Sequence, residues 1–453
     1  MTGSCHIVRT NGRTILLDCG LFQGQRGGVR RKNLTLPEDP DAIDAIVLSH
    51  AHIDHAGRLP FLVNRGYRHP IHTTAATRDL CEVMLADAAH IQEKDAKFLS
   101  RRNREHFDPL YSNRDVHRTM ELMVGARYNR VVEVVPGVRA TFVDAGHILG
   151  SASVILDCAD GTKTTRLVFS GDIGRKGLAI IGDPVIPTGA DAVLMESTYG
   201  NRDHASVEGA KSELARVVRE TSMRGGKVLI PAFAVGRTQE LVFALHELAD
   251  QGAIPRIPIY IDSPLAIRAT AVFERHRDLF DDSERFVRAH HAAGEGPFKF
   301  PMLTYTQSVE ASKELDQHPG PMIIIAASGM AESGRIVHHL LHGASDPRNT
   351  VLVVGFMAEH TMGRRIIERQ PFLKLFGEDV ALRARIEVIN GYSAHADRAE
   401  LFAWIAAVRE QSPALRGVWL VHGETDAQDA LASTINTAGL YTHAPAAGDH
   451  VRV

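Results

Sequence analysis

Three imidazoles and a carboxylate crowd into one short turn, Ser49-His50-Ala51-His52-Ile53-Asp54-His55-Ala56-Gly57, directly after an apolar stretch that reads as a strand. Nitrogen and carboxylate donors without thiolate suit Zn²⁺, and Mn²⁺ or Fe²⁺ are also satisfied by such a set. Neutral imidazoles packed this closely would lose hydration without return unless a cation took up their lone pairs. Two further loops place a donor beside glycines, Asp144-Ala145-Gly146-His147 and Ser170-Gly171-Asp172, where the backbone can approach a compact centre closely. Alone, His147 would read as a hydrogen-bonded loop histidine and Asp172 as a turn former; beside the first cluster both become ligands. Near the C-terminus Val418-Trp419-Leu420-Val421-His422-Gly423 repeats the strand-then-His-Gly pattern. The donors divide into His50, His52 and His147 for one ion and Asp54, His55 and His422 for a second, with Asp172 free to bridge. The expected cofactor is therefore two Zn²⁺ per chain. Two ions about 3.5–4 Å apart that share a carboxylate and a water favour hydrolysis, because they acidify the water and polarise a phosphoryl or carbonyl oxygen. Redox chemistry at a di-iron site is left open by the donor types.

Several short apolar runs position these loops. Thr14–Asp18, Ala45–Ser49, Val138–Val143 and a hairpin through Asp160-Gly161 read as strands, and Ala75 to about Arg102 as a long helix. From Ser206 the rhythm changes to helix 206–223, strand Lys227–Pro231, helix Arg237–Asp250, strand Ile257–Asp262 and helix 267–280. A Gly/Pro-rich loop, Ala293–Pro301, separates these from strands Met322–Ala327 and Thr350–Phe356. This is the order of a parallel βαβ sheet with right-handed crossovers. The last quarter returns to strands Arg385–Ile389 and Gly417–Val421 and helices Ala399–Val408 and Gln428–Ala438.

At 453 residues the chain exceeds one ordinary core, so one domain interrupted by another is expected. Its four cysteines are scattered without a Cys-x-x-Cys pair, which argues against a disulfide framework or a thiolate zinc site. No run approaches eighteen uncharged apolar residues and no signal-peptide order opens the chain, so a soluble, cytoplasmic protein without a membrane segment is expected. A net charge of −3 gives no general electrostatic reason to suspect nucleic acid, so any polyanion must be gripped locally.

The His-x-His-x-Asp-His run with single His and Asp motifs resembles the metallo-β-lactamase superfamily, and Asp18 in Leu16-Leu17-Asp18-Cys19-Gly20 matches its structural aspartate beside the ligands. Met195-Glu196-Ser197-Thr198-Tyr199-Gly200 looks like motif A of the β-CASP nucleases, Gly391-Tyr392-Ser393-Ala394-His395-Ala396-Asp397 like motif B and Val421-His422-Gly423-Glu424 like motif C. Between A and B, Pro231–Arg237, Asp262-Ser263-Pro264, Ala327–Met330 and Gly355–Glu359 are similar to that family's recurring segments. The resemblance covers nearly the whole chain. Its nearest branch holds bacterial and archaeal RNA-processing nucleases and the endonuclease subunit of the cleavage and polyadenylation specificity factor, and the histidine at motif C, His422, accompanies RNA substrates there. Two departures stand out: relatives carry a further strand upstream of Met1, and His360 stands where they commonly have glycine.

The resemblance implies an α/β protein: an αββα metallo-β-lactamase sandwich, residues 1–200 and 385–453, interrupted by a doubly wound, mainly parallel β-CASP domain at 201–384. It implies hydrolysis of RNA phosphodiesters by a metal-bound hydroxide in a cleft between the two domains. Asp54, His395 and Glu196 form the expected catalytic set: the metals leave His395 over for general acid catalysis, with Glu196 as its carboxylate partner. Ser328, Gly329, Met330 and Arg237 are the expected phosphate or RNA contacts, and Tyr199 and Phe233 are candidate stacking residues, with core packing the favoured reading for Phe233. His338-His339-Leu340-Leu341-His342 has metal-binding helical spacing but lies on a helix of the inserted domain with no carboxylate partner expected nearby. The partner is RNA, and a homodimer is compatible with the sequence. A small ester or thioester hydrolase on the same core, or an inactive scaffold subunit, are the rival readings; the first leaves His395 without a task and the second leaves seven intact ligands unexplained.

Overall fold

An antiparallel pair, β1 (His6–Thr10) and β2 (Arg13–Leu17), opens the chain and continues in parallel through β3 (Ala45–Val47), β4 (Ile71–Thr74) and β5 (Met123–Ala126). The computed structural model describes residues 3–23, 26–103, 106–281, 296–355, 357 and 360–453. Residues 293–295 of the Gly/Pro-rich loop, and Phe356, Ala358 and Glu359 of the expected Gly355–Glu359 segment, lie outside the described residues. Two units divide the chain: one holds residues up to Lys176, Asp183–Asp203 and His395–Val453, the other Gly177–Gly182 and His204–Ala394.

In the first unit a second sheet begins as an antiparallel meander, β6 (Val131–Val135), β7 (Val138–Asp144), β8 (Ala152–Asp160) and β9 (Lys163–Phe169). The hairpin expected at Asp160-Gly161 joins β8 to β9, with Asp160 opposite Lys163. β10 (Ala192–Glu196) then adds in parallel, followed by the C-terminal strands β19 (Val418–Val421) and β20 (Thr442–His443). Ile15, Leu17 and Val47 of the first sheet and Phe142, Val154, Leu156 and Phe169 of the second share one buried cluster. On the other face of the second sheet, Leu401, Trp404 and Ile405 of the helix Arg398–Glu410 and Leu431 of the helix Thr425–Thr437 pack on Val168, Val193 and Leu420. This is the expected αββα sandwich, whose two sheets share a buried core.

The second unit is a six-stranded parallel sheet built from β11 (Lys227–Pro231), β12 (Ile259–Ile261), β13 (Leu303–Tyr305), β14 (Met322–Ala326), β15 (Thr350–Val354) and β18 (Arg385–Ile389). The spatial order is β13-β12-β14-β11-β15-β18. Its central strands are buried at every residue, the pattern of a parallel sheet covered on both faces. A small hairpin, β16 (Phe372–Leu375) with β17 (Glu378–Ala381), stands apart from it.

Some expected boundaries move. Arg385–Ile389, expected to open the returning part of the sandwich, instead pairs in parallel with β15, so the second unit runs to Ala394 and the expected limit at 384 falls inside it. The helix expected at 267–280 spans Pro264–Arg275, because Ser263 accepts from the Ala266 N–H and Pro264 starts the first turn. Among the described residues no helix is long and apolar enough to cross a membrane.

Candidate metal centre and active site

Every expected ligand sits where a strand of the sandwich ends. His50, His52, Asp54 and His55 follow β3, His147 follows β7, Asp172 follows β9 and His422 follows β19. Glycines set the loops against one another. A Cβ on Gly174 would lie 1.7 Å from the Gly146 carbonyl oxygen, and one on Gly20 1.6 Å from that of Asp54, so both contacts require the missing side chain. Gly174 also bridges to His395, which joins the Asp172 loop, the His147 loop and the motif B loop at one point. Below His395, Asp397 and Glu400 form a reciprocal capping box at 2.9 and 3.0 Å that anchors this loop to the helix Arg398–Glu410.

The donors converge as two groups. In the first, His52 Nδ1 stands 3.1 Å from both His50 Nε2 and His147 Nε2, and Asp172 Oδ2 is 3.4 Å from His50 Nε2 and 3.6 Å from His147 Nε2. In the second, His55 Nε2 is 3.2 Å from His422 Nε2 and 3.3 Å from Asp172 Oδ1, and Asp54 Oδ2 is 3.5 Å from His422 Nε2. Ligand atoms on a tetrahedron with metal bonds of 2.0–2.1 Å are about 3.3 Å apart, so both groups fit a zinc-sized cation. Asp172 Oδ1 is also a buried oxygen without a hydrogen-bond partner among the described residues, an arrangement a cation would satisfy.

Asp18 orients two of the imidazoles. Its carboxylate accepts the Ser49 N–H at 2.8 Å, the Ser49 hydroxyl at 2.9 Å and His55 Nδ1–H at 2.6 Å. Ser49 Oγ in turn stands 3.0 Å from His50 Nδ1. Both rings therefore give their Nδ1 protons to this network, and their Nε2 lone pairs face the centre. Asp18 and His422 adopt φ of 61° and 51°, a left-handed backbone that non-glycine residues hold only where surroundings enforce it. Ser49 was not singled out from sequence; its position between the strand and His50 is the available signal.

Electrostatics follow from burial. Desolvation lowers His50, holds His147 well below its ordinary value and brings His52 down to about 3, so these rings are neutral, as ligation requires. Burial opposes ionisation of Asp172, but His422, His55 and His50 hold its carboxyl well below the usual range. Burial also works against protonation of His55, which Asp172 and Asp18 outweigh, raising it well above its ordinary value in the metal-free chain.

His395 and Glu196 do come together. His395 Nδ1 lies 3.3 Å from Glu196 Oε2, and Glu196 also accepts from the Ile173 N–H. Although burial lowers the imidazole pKa, Glu196 and then Asp172 raise it to about 9. Tyr199 stands edge-on to His395, with ring centroids 5.9 Å apart, and the Arg202 guanidinium lies over the Tyr199 ring, 5.3 Å from its centroid.

The expected phosphate contacts lie in the second unit. The helix after Ser328-Gly329-Met330 begins only at Arg335, so these residues are not its first turn, and Ser328 Oγ accepts locally from the Glu332 and Ser333 N–H groups. Phe233, read as core, is 49% exposed. His339 has the carboxylates that its sequence neighbourhood lacked: Asp262 at 2.7 Å on Nε2 and Asp316 at 2.6 Å on Nδ1.

A two-sheet sandwich whose strand-end loops converge seven His and Asp donors defines a metallo-hydrolase of the metallo-β-lactamase kind, and that superfamily's model matches residues 1–203. The chain belongs to its β-CASP family. The Beta-Casp domain model matches residues 238–366, and the Zn-dependent metallo-hydrolase RNA specificity domain model matches residues 379–445. Among curated relatives, ribonuclease TTHA0252 of Thermus thermophilus is 38% identical over 97% of this chain and 94% of its own length. Transcription termination factor FttA of Methanosarcina mazei is 32% identical over 95% of this chain, which spans 66% of that factor. FttA of Methanothermobacter thermautotrophicus is 32% identical over 99% of this chain and 70% of its own length.

Proposed function

We propose that this chain is a zinc-dependent ribonuclease with two metal ions, held by His50, His52 and His147 on one side, Asp54, His55 and His422 on the other, and Asp172 between them. The observation that carries the reading is Asp172, whose two oxygens face different donor groups, Oδ2 toward His50 and His147 and Oδ1 toward His55. Bound there, the metals supply a water of lowered pKa and polarise the scissile phosphate.

His395 supplies what metals do not. A departing ribose oxygen gains from a proton in the transition state. Glu196 at Nδ1 favours the protonated form of the ring and leaves Nε2 as the nitrogen that can deliver the proton. The relative named ribonuclease, alignable over nearly the whole chain, supports RNA as substrate. An ester or thioester hydrolase would need the metals but not this His–Glu pair.

The reading is tested by incubating metal-loaded protein with end-labelled RNA and DNA oligonucleotides, with and without chelator. Metal-dependent cleavage of RNA is expected, and the product ladder separates endonucleolytic from exonucleolytic action. Intact RNA beside rapid turnover of simple esters would replace it with the esterase reading.

A further inference from the structure

Within the second unit, the chain leaves β11 toward β12 through the helix Arg237–Asp250, and leaves β14 in the opposite direction toward β15 through the helix Arg335–Gly343. β11 and β14 are neighbours, so their carboxyl ends flank a topological switch point, the crevice where open parallel sheets bind ligands. Two side chains, one in the loop after β11 and one at the start of the helix Arg237–Asp250, are unusual there.

Phe233 is the first. A lone exposed phenylalanine is ordinary, but this ring lies on the α-carbon of Gly329, where an added Cβ would meet Phe233 Cδ2 at 2.7 Å. Its carbonyl accepts both the Thr238 N–H at 3.2 Å and the Thr238 hydroxyl at 2.8 Å, which fixes the backbone beneath the ring. The result is a rigid aromatic plate backed by β14's loop and half open to solvent.

Arg237 is the second. Its side chain is 10% exposed, yet Nε and Nη1 are buried without a hydrogen-bond partner among the described residues. The nearest carboxylate oxygen, Glu240 Oε2, stands 3.5 Å from Nε. The guanidinium lies over Gly355 at the end of β15, where an added Cβ would meet Nη1 at 3.7 Å. The Tyr392 hydroxyl, within electrostatic reach, is also buried without a hydrogen-bond partner. Burying donors that have an ion pair but no hydrogen bond is costly, and a planar fork at the N-terminus of a 14-residue helix that has no side-chain cap is suited to phosphate.

We propose that Phe233 and Arg237 form a single-stranded RNA subsite at the carboxyl edge of this sheet, with a base stacked on Phe233 and a backbone phosphate on Arg237. β14 and β15 lie on either side of β11, so plate and fork are separated by two strand spacings, roughly 10 Å. One strand of RNA can engage both. Stacking on the π-face and a phosphate contact make the subsite tolerant of sequence. The inference rests on the ribonuclease reading.

The test is binding of a fluorescent single-stranded oligoribonucleotide with phosphorothioate linkages, which slow hydrolysis, to the metal-loaded full chain over a series of salt concentrations. Phe233→Ala is expected to weaken binding roughly 5- to 150-fold without altering the salt dependence, and Phe233→Trp to restore it. Arg237→Gln is expected to reduce the slope of log K against log salt by about 0.7, the share of one phosphate on a single strand, while Arg237→Lys keeps the slope. Wild-type affinity in Phe233→Ala, or a full slope in Arg237→Gln, would overturn the subsite; because Phe233 is half exposed, its variant decides even if the arginine variants fold poorly. If the wild-type chain binds no RNA, the ribonuclease reading fails and this inference with it.

Discussion

His395 Nδ1 stands 3.3 Å from Glu196 Oε2 and 3.9 Å from Asp172 Oδ2, so the proposed proton donor is held by a carboxylate outside the two proposed ligand groups and lies near the one proposed to bridge them. Its role is separable from theirs. His395→Ala is expected to retain metal and fold and to bind RNA within a few-fold of wild type, yet to lose roughly 10²–10⁴ in cleavage rate. An RNA with a sulfur leaving group at the scissile position needs no proton and should recover much of that loss. Equal impairment on both substrates would show that His395 positions phosphate instead.

Glu196→Gln separates charge from structure. The carboxylate helps raise His395 to about 9, so its loss lowers the pKa at which the acid form disappears. The alkaline limb of the pH–rate profile is expected to move toward lower pH, with metal content unchanged. An unmoved limb would disconnect Glu196 from the proton donor.

Asp18→Asn tests how the ligands are oriented. Asp18 takes protons from Ser49 and His55, and through Ser49 it reaches His50, yet it contributes no ligand atom. Zinc affinity is expected to fall roughly 10–100-fold, with the secondary structure intact by circular dichroism. Affinity equal to wild type would mean that packing alone orients the rings.

The expected ligands were legible because four of the seven lie within six residues, His50 to His55, and the rest repeat a strand-then-donor pattern. What escaped was non-local. Arg385–Ile389 has the same short, half-exposed pattern that a returning sandwich strand would have, and only its pairing with β15 assigns it to the other sheet. The Asp262–His339–Asp316 chain joins residues far apart in sequence, so no spacing announces it. Phe233 follows the buried run of β11 and shares its apolar character, but the turn that starts the next helix directs it outward. Ser263-Pro264 was itself a helix-start signal, obscured by the apolar periodicity that begins at 267.

That buried chain makes a stability prediction. Burial opposes both charges, but Asp262 and Asp316 raise the His339 pKa, while His339, Ser312 and Arg335 lower that of Asp262. The histidine's contribution is fully present below its unfolded value near 6.5 and is lost as pH rises through its raised folded value; that of Asp262 is present above its unfolded value near 3.9 and is lost as pH falls through its lowered folded value. Asp262→Ala should destabilise the second unit by about 3–5 kcal/mol near pH 6, because it takes the buried carboxylate from His339 Nε2 and Arg335 and leaves them Asp316 and two backbone carbonyls. The difference in melting temperature between wild type and His339→Asn should shrink as pH is raised from 6 to 9; a constant difference would show that His339 acts through packing alone.

The most direct measurement of the central claim is RNA hydrolysis followed while zinc is titrated into metal-free protein, with bound zinc counted in the same samples. Six donors sharing the Asp172 carboxylate require the rate to keep rising to a plateau at about two bound ions per chain, and Asp172→Asn to lose occupancy at both positions. A rate that saturates at one bound ion, or RNA left intact with two ions bound, would contradict it.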